Sequence, residues 1–212
     1  MSLTRRVMLG IPAALGLAGI AGGAFIALRP GSGGDGSAIS LDDVLYDPDN
    51  PVLGNPEGSL TIVEYFDYQC PYCKMGHDML VQEVANDGDI RLVMKDWPIF
   101  GGASVLASQM VLGAVAADDY EVAHAALMAT PARLTEDEVR EALQGAGIDT
   151  DAALAAYRAD RGRWDGLMAR NSAQAAELGL RGTPAFIIGA ALHPGALDQT
   201  RLRAAIADAR RS

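Results

Sequence analysis

Cysteine is nearly absent from this 212-residue chain: it has two, Cys70 and Cys73, three positions apart. A small domain stapled by disulfides would carry several cysteines at wide spacings. A bridge across so short a loop also removes little entropy from the unfolded chain. The pair therefore reads as chemistry rather than as a staple. Histidine is scarce too, and there is no second C-x-x-C. A zinc site would need two further ligands, and only His77 is near the pair in sequence, with His124 and His193 far off. Positive charge is in deficit. The net charge is −10, and without Arg5, Arg6 and Arg29 it is −13, from 14 basic and 27 acidic residues. Such a surface repels phosphate backbones and argues against a nucleic-acid partner. Lysine is the rarest charged residue, with only Lys74 and Lys95 against 15 arginines.

Residues 7 to 28 lack charge altogether. They follow Thr4-Arg5-Arg6-Val7-Met8-Leu9, which resembles a twin-arginine export signal. About 20 apolar residues also suffice to span a bilayer, so residues 1–29 read as either a cleaved signal or a retained membrane anchor. No decisive cleavage site separates the two. Residues 30–55 begin with the Gly- and Ser-rich run Pro30 to Ser40 and read as a flexible linker and lead-in. The expected location is the periplasm or cell envelope.

The remainder has the pattern of an α/β domain. Ser59 to Asp67 is β-branched and aromatic and predicts a buried strand. Pro71 suits the first turn of a helix that runs to about Asn86, ended by Asp87-Gly88-Asp89. Ile90 to Trp97 predicts a second strand, parallel to the first. From Gly102 to about Leu180 the chain is alanine-rich and helical, with breaks near Asp118, Thr130-Pro131, Gly145 to Gly147 and Asp160 to Gly162. Thr135 to Glu138 fits a capping box. Thr183 to Ile188 and Ala191 to His193 predict two more strands, and Ala196 to Arg210 a last helix. The resulting divisions are 56–101, a helical insertion at 102–180, and 181–212.

A C-x-x-C at a strand–helix junction has a clear mechanical logic. Cys70 at the helix N-terminus would have its thiolate stabilised by free backbone N–H groups and the helix dipole. That makes it a good leaving group and favours the reduced form, while Cys73 sits deeper in the first turn. His77 reads as an exposed helical residue, Met75, Met79 and Met94 as core, and Trp97 and Trp164 as packing residues.

Glu64-Tyr65-Phe66-Asp67-Tyr68-Gln69-Cys70-Pro71-Tyr72-Cys73 resembles the active-site segment of the DsbA family of bacterial thiol–disulfide oxidoreductases. Gly182-Thr183-Pro184-Ala185-Phe186 is similar to that family's cis-proline segment. The resemblance covers most of residues 55 to 210. It implies a thioredoxin-like fold with a helical domain inserted between a β–α–β and a β–β–α half. It also implies a cis Pro184 facing the disulfide, with Pro71 and Tyr72 between the cysteines. A cis peptide there would leave the Thr183 backbone free to pair with an extended client. Glu64 matches a buried acid six residues before the first cysteine, and Lys95 aligns with a lysine that pairs with it. The expectation that follows is a Glu64–Lys95 relay carrying the proton of Cys73.

The expected activity is oxidation of dithiols in secreted proteins, with a membrane quinone-linked reoxidant as partner and no soluble cofactor. Two alternatives stand beside it. Tyr72, in place of the histidine frequent in oxidases, and Thr183 before Pro184 suit a disulfide reductase or isomerase. Both thiols could instead hold Cu(I) in a delivery protein.

Overall fold

The computed structural model describes residues 39–131 and 133–211. The expected signal or anchor, residues 1–29, lies outside them. Among the described residues no helix is long and apolar enough to cross a membrane.

A five-stranded mixed sheet forms the centre. Its strands are β1 (Val52–Gly54), β2 (Leu60–Phe66), β3 (Ile90–Asp96), β4 (Ala185–Ile188) and β5 (Ala191–Pro194), in the order β1-β3-β2-β4-β5. β2 runs parallel to β3 and antiparallel to β4, which places it in the middle. All seven of its residues are buried. That explains its unbroken β-branched and aromatic run, since a strand covered on both faces needs no polar alternation.

The two faces carry separate cores, and the two-residue strand period assigns each side chain to one of them. Leu60, Ile62 and Phe66 of β2 join Ile90, Leu92 and Met94 of β3 and Phe186 and Ile188 of β4 on one face. Over that face lie α2 (Pro71–Asp87), α3 (Gly102–Ala114), α4 (Tyr120–Met128) and α8 (Gln199–Ala209). Val63, Tyr65, Val93, Ala185 and Ile187 form the other face, under α1 (Leu41–Leu45) and α7 (Arg161–Glu177). We refer to the first as the redox face and the second as the rear face.

α3 to α7, including α5 (Glu136–Gly145) and α6 (Thr150–Ala159), all stand between β3 and β4. Their breaks fall where the sequence places them: Asp118 is left-handed with φ 62°, and Asp119 caps α4. The Thr135–Glu138 capping box opens α5. Gly113 lets α3 lie against α6, because a β-carbon there would collide with the Ala153 carbonyl.

The lead-in differs from the sequence expectation. Residues 39–54 include α1, opened by a Ser40–Asp43 capping box, and β1, an edge strand antiparallel to β3. Both elements are too short for a hydrophobic period to register, which is why composition alone reads them as linker.

Candidate functional site

α2 begins at the carboxyl end of β2, with Cys70 as its N-cap and Pro71 in the first turn. Cys70 and Cys73 are free thiols, each at most 2% exposed. The Thr183–Pro184 peptide is cis and lies beside them, and Cys70 Sγ donates to the Thr183 carbonyl at 3.2 Å. Pro184 is buried against the pair, whereas Tyr72 is exposed.

The two thiols are electrostatically unlike. A hydrogen bond from Cys73 pulls the Cys70 pKa down to about 6, against the cost of burial. The Thr183 side chain and the backbone N–H groups of Cys73 and Tyr72 add to the effect. Those two N–H groups are unpaired amides of the helix start, so the thiolate sits where α2 is richest in free donors. Cys73 is pushed the opposite way, first by burial, then by its bond to Cys70 and by the Glu64 and Cys70 charges.

Glu64 projects onto the redox face, opposite Met94 on β3 and Phe186 on β4. It lines a small crevice, about 10 Å³, with Cys73, Pro184, Met79 and Leu202. Burial, and secondarily the Cys70 charge, raises its pKa to about 8. Its Oε2 has no hydrogen-bond partner.

Lys95 does not join Glu64, contrary to the expected pair. Lys95 is in register with Tyr65, one residue beyond Glu64, and therefore projects onto the rear face. There its ammonium donates to Asn171 Oδ1 at 3.3 Å and stands 5.8 Å from the Tyr65 ring centroid. The Asn50 amide, oriented to suit both groups, accepts from it at 3.0 Å. Burial lowers its pKa to about 8, and the charges that act on it are Asp47, Arg170 and Arg91. The residue that faces Glu64 across the ladder is Met94.

Asp67, absent from the expected site, organises the loop that carries Cys70. Its Oδ1 accepts from Gln69 N at 2.7 Å and Ser104 Oγ at 2.7 Å, and its Oδ2 from Ile99 N at 2.6 Å and Phe100 N at 3.1 Å. Its carbonyl accepts the Cys70 N–H at 3.0 Å. Gln69 extends the bracket, donating to Ser104 Oγ and accepting from Leu134 N. Lys74 donates to Thr130 Oγ1 at 2.7 Å and to the Pro131 carbonyl at 2.6 Å. Both residues that flank the motif are thus tied to the segment between α4 and α5.

Two weaker expectations also change. His77 is buried rather than exposed, with its ring centroid 5.0 Å from that of His124. Met75 is 75% exposed rather than core, and Tyr72 nearby is exposed as well. Among the described residues, no three His, Cys, Asp or Glu side chains converge as metal ligands would.

Comparison with known proteins agrees with this geometry. Residues 61–207 match the family model described as the DSBA-like thioredoxin domain. A thioredoxin-like oxidoreductase from Silicibacter pomeroyi is 37% identical, with a TM-score of 0.77 over 82% of this chain and 99% of that one. The thiol–disulfide exchange protein alpha-DsbA2 of Wolbachia pipientis is 27% identical, with a TM-score of 0.72 over 79% and 90%. The catalytic domain of Proteus mirabilis ScsC is 26% identical, with a TM-score of 0.70 over 80% and 94%. Among curated sequences, the Na(+)/H(+) antiporter NhaA 3 of Salinispora tropica is 26% identical over 179 residues; the match takes in 82% of this chain but 27% of that protein's length. With the family model covering more than half of its length, and its redox pair at the helix start beside a cis proline, this chain belongs to the DSBA-like thioredoxin domain family.

Proposed function

We propose that the chain is an exported thiol–disulfide oxidoreductase that oxidises dithiols of secreted proteins through Cys70 and Cys73. The observation that carries this reading is the split between the two thiols, Cys70 held down to about 6 and Cys73 pushed up. A stabilised Cys70 thiolate favours the reduced protein and so makes the disulfide an oxidant.

In the oxidising direction a client thiolate attacks Cys70 Sγ. The electrons of the Cys70–Cys73 bond pass to Cys73 Sγ, which leaves and takes a proton. Glu64, neutral at pH 7 and lining the same crevice, supplies that proton. A second client thiolate then attacks the client sulfur of the mixed disulfide, and Cys70 departs as a thiolate. Pro184 and the Thr183 backbone receive the extended client beside Cys70. The uncharged residues 7–28 support export, and a membrane quinone-linked partner would return the pair to the disulfide.

The test is the equilibrium reduction potential of the pair against glutathione. A strongly oxidising value supports the oxidase. A markedly more reducing value moves the assignment to a reductase or isomerase, the reading that Tyr72 and Thr183 suit. Failure to equilibrate removes thiol–disulfide exchange altogether.

A further inference from the structure

The ladder between β2 and β3 ends at the Phe66–Asp96 pair, and beyond it the two chains part. One turns into α2 with Cys70 at its cap, and the other runs on to Gly101 and enters α3. A last backbone bond, from Trp97 N to the Phe66 carbonyl at 3.0 Å, reaches across as they separate. From there side chains take over the junction.

Asp67 is the first of them. Its Oδ2 holds the Ile99 and Phe100 N–H groups of the departing chain, at 2.6 and 3.1 Å. Its Oδ1 holds the Gln69 N–H of its own turn and the Ser104 hydroxyl of α3, each at 2.7 Å. All four partners donate, so the carboxylate serves as an acceptor on every side. Gln69 fastens the same turn again, with Nε2 donating to Ser104 Oγ at 3.1 Å and to the Phe100 carbonyl at 3.4 Å. Asp67 and Ser104 are at most 1% exposed and Gln69 6%, so little water reaches them to replace a lost partner.

Cys70 is delivered by this turn. Its N–H donates to the Asp67 carbonyl at 3.0 Å, and its own carbonyl accepts the Lys74 N–H at 3.2 Å. The residue is therefore tied to Asp67 on one side and to α2 on the other. In the thiol form Cys70 Sγ donates to the Thr183 carbonyl at 3.2 Å. A thiolate needs donors instead, and the first turn of α2 offers the Tyr72 and Cys73 N–H groups, Pro71 having none. Both states must be served from one backbone position, and the turn that fixes this position is held at Asp67.

We propose that Asp67 is a positioning residue of the redox pair: by fastening the turn before Cys70 to α3 and to Ile99–Phe100, it keeps Cys70 Sγ at the free N–H groups of α2 that stabilise its thiolate. The inference rests on the exchange reading above. Asp67 touches no reacting atom and acts through the backbone. Its charge works in the opposite sense, because a carboxylate three residues away disfavours a second negative charge. Position and charge therefore predict opposite results when Asp67 is neutralised. Asp67→Asn keeps the size but turns one acceptor into an NH₂ group. That group must face either the Ile99 and Phe100 N–H groups or the Gln69 N–H, so one side of the bracket opens.

The experiment is a thiolate titration of the reduced full chain, followed by ultraviolet absorbance. Cys73 is pushed far up, so the rise in absorbance on the acid side of neutrality reports Cys70. In Asp67→Asn the midpoint is expected to move up by about half a pH unit or more, a roughly three-fold loss of thiolate stabilisation. The equilibrium constant against glutathione should become less oxidising by a similar factor. A midpoint at or below the parent value overturns the proposal. A purely structural role would move only the denaturant midpoint, and a role through charge alone would lower the titration. Should Asp67→Asn fold poorly, Ser104→Ala keeps the carboxylate and deletes one of its donors. There the thiolate dissociation constant is expected to fall about two-fold, and an unchanged titration overturns the proposal. Parent protein that does not exchange with a model dithiol refutes the exchange reading instead, while the titration still reports how Cys70 is held.

Discussion

Among the ionisable side chains that the central sheet buries, Glu64 on the redox face and Lys95 on the rear face are opposite in sign, and their surroundings differ. Glu64 on the redox face shares a crevice with Cys73 and has an unpartnered oxygen. Lys95 on the rear face is enclosed by the amides of Asn171 and Asn50 and an aromatic ring. The first is left unsatisfied next to a reacting atom; the second is satisfied and remote. Burial raises an acid and lowers a base, and it brings both groups to about 8. A shifted pKa therefore does not by itself distinguish a group beside the cysteines from a remote one in this fold.

The comparison breaks most visibly at the cysteines, which belong to one face only. Cys70→Ser is expected to abolish exchange with a model dithiol peptide. Cys73→Ser is expected to keep the attack on a client disulfide but trap the mixed disulfide, seen as a stable adduct by mass spectrometry. Next in size is the contrast between Glu64→Gln and Lys95→Met. General acid–base groups contribute roughly 10²–10⁴-fold. Loss of Glu64 should slow the step at Cys73 by at least about ten-fold, and Lys95→Met should leave stopped-flow exchange rates within about two-fold. Equal slowing by both would restore the paired relay that the register argues against.

The faces also predict opposite legs in the stability of the disulfide form, where the cysteines do not titrate. Burial, which persists in the disulfide form, raises the folded pKa of Glu64 above 4.5, so its contribution is complete below pH 4.5 and is lost as pH rises through the folded value. Asp96, raised from 3.8 to about 7, acts in the same sense. Lys95 is lowered from 10.5 to about 8, so its contribution is complete above pH 10.5 and lost as pH falls through 8. Denaturant midpoints should fall with rising pH on the acidic leg and rise again above about pH 8. Glu64→Gln should flatten the acidic leg and Lys95→Met the alkaline one. Each leg is worth roughly 1.4 kcal/mol for every pH unit that separates the folded from the unfolded pKa. Midpoints that stay flat across both legs in the parent protein would contradict both assignments.

What the sequence allows one to read follows from how each feature is encoded. β2 and β3 are legible because burial on both faces demands a long apolar run. The helix breaks are legible because Asp118, Pro131 and Gly147 mark them locally. The partner of Glu64 is not, because it depends on β2–β3 register, and a shift of one residue exchanges Lys95 for Met94. Asp67 carries a signal that could have been read: an acid in an apolar strand end, two residues before a buried turn, needs several donors. The Tyr68–His124 contact joins the turn after β2 to α4, 56 residues away, and nothing local in the chain announces it.

The smallest effect sharpens the comparison within the redox face itself, between the two neighbours that act on Cys70. Cys73 is the larger influence and cannot be removed without ending the chemistry. Thr183 can be. In the thiol form Cys70 donates to the Thr183 carbonyl, which any residue supplies, while the Thr183 hydroxyl is buried without a partner. In the thiolate form that hydroxyl becomes a donor to sulfur and helps hold Cys70 at about 6. Thr183→Val keeps the shape and the carbonyl and deletes only this donor. A hydrogen bond to a charged group contributes about 1.5–3 kcal/mol, part of which solvent and the remaining donors recover. The Cys70 thiolate titration, followed by ultraviolet absorbance, should move up by about one pH unit, which corresponds to a disulfide less oxidising by about 30 mV. A titration that does not move would place the stabilisation wholly in the helix N-terminus and Cys73, and would leave Thr183 a role through its backbone alone.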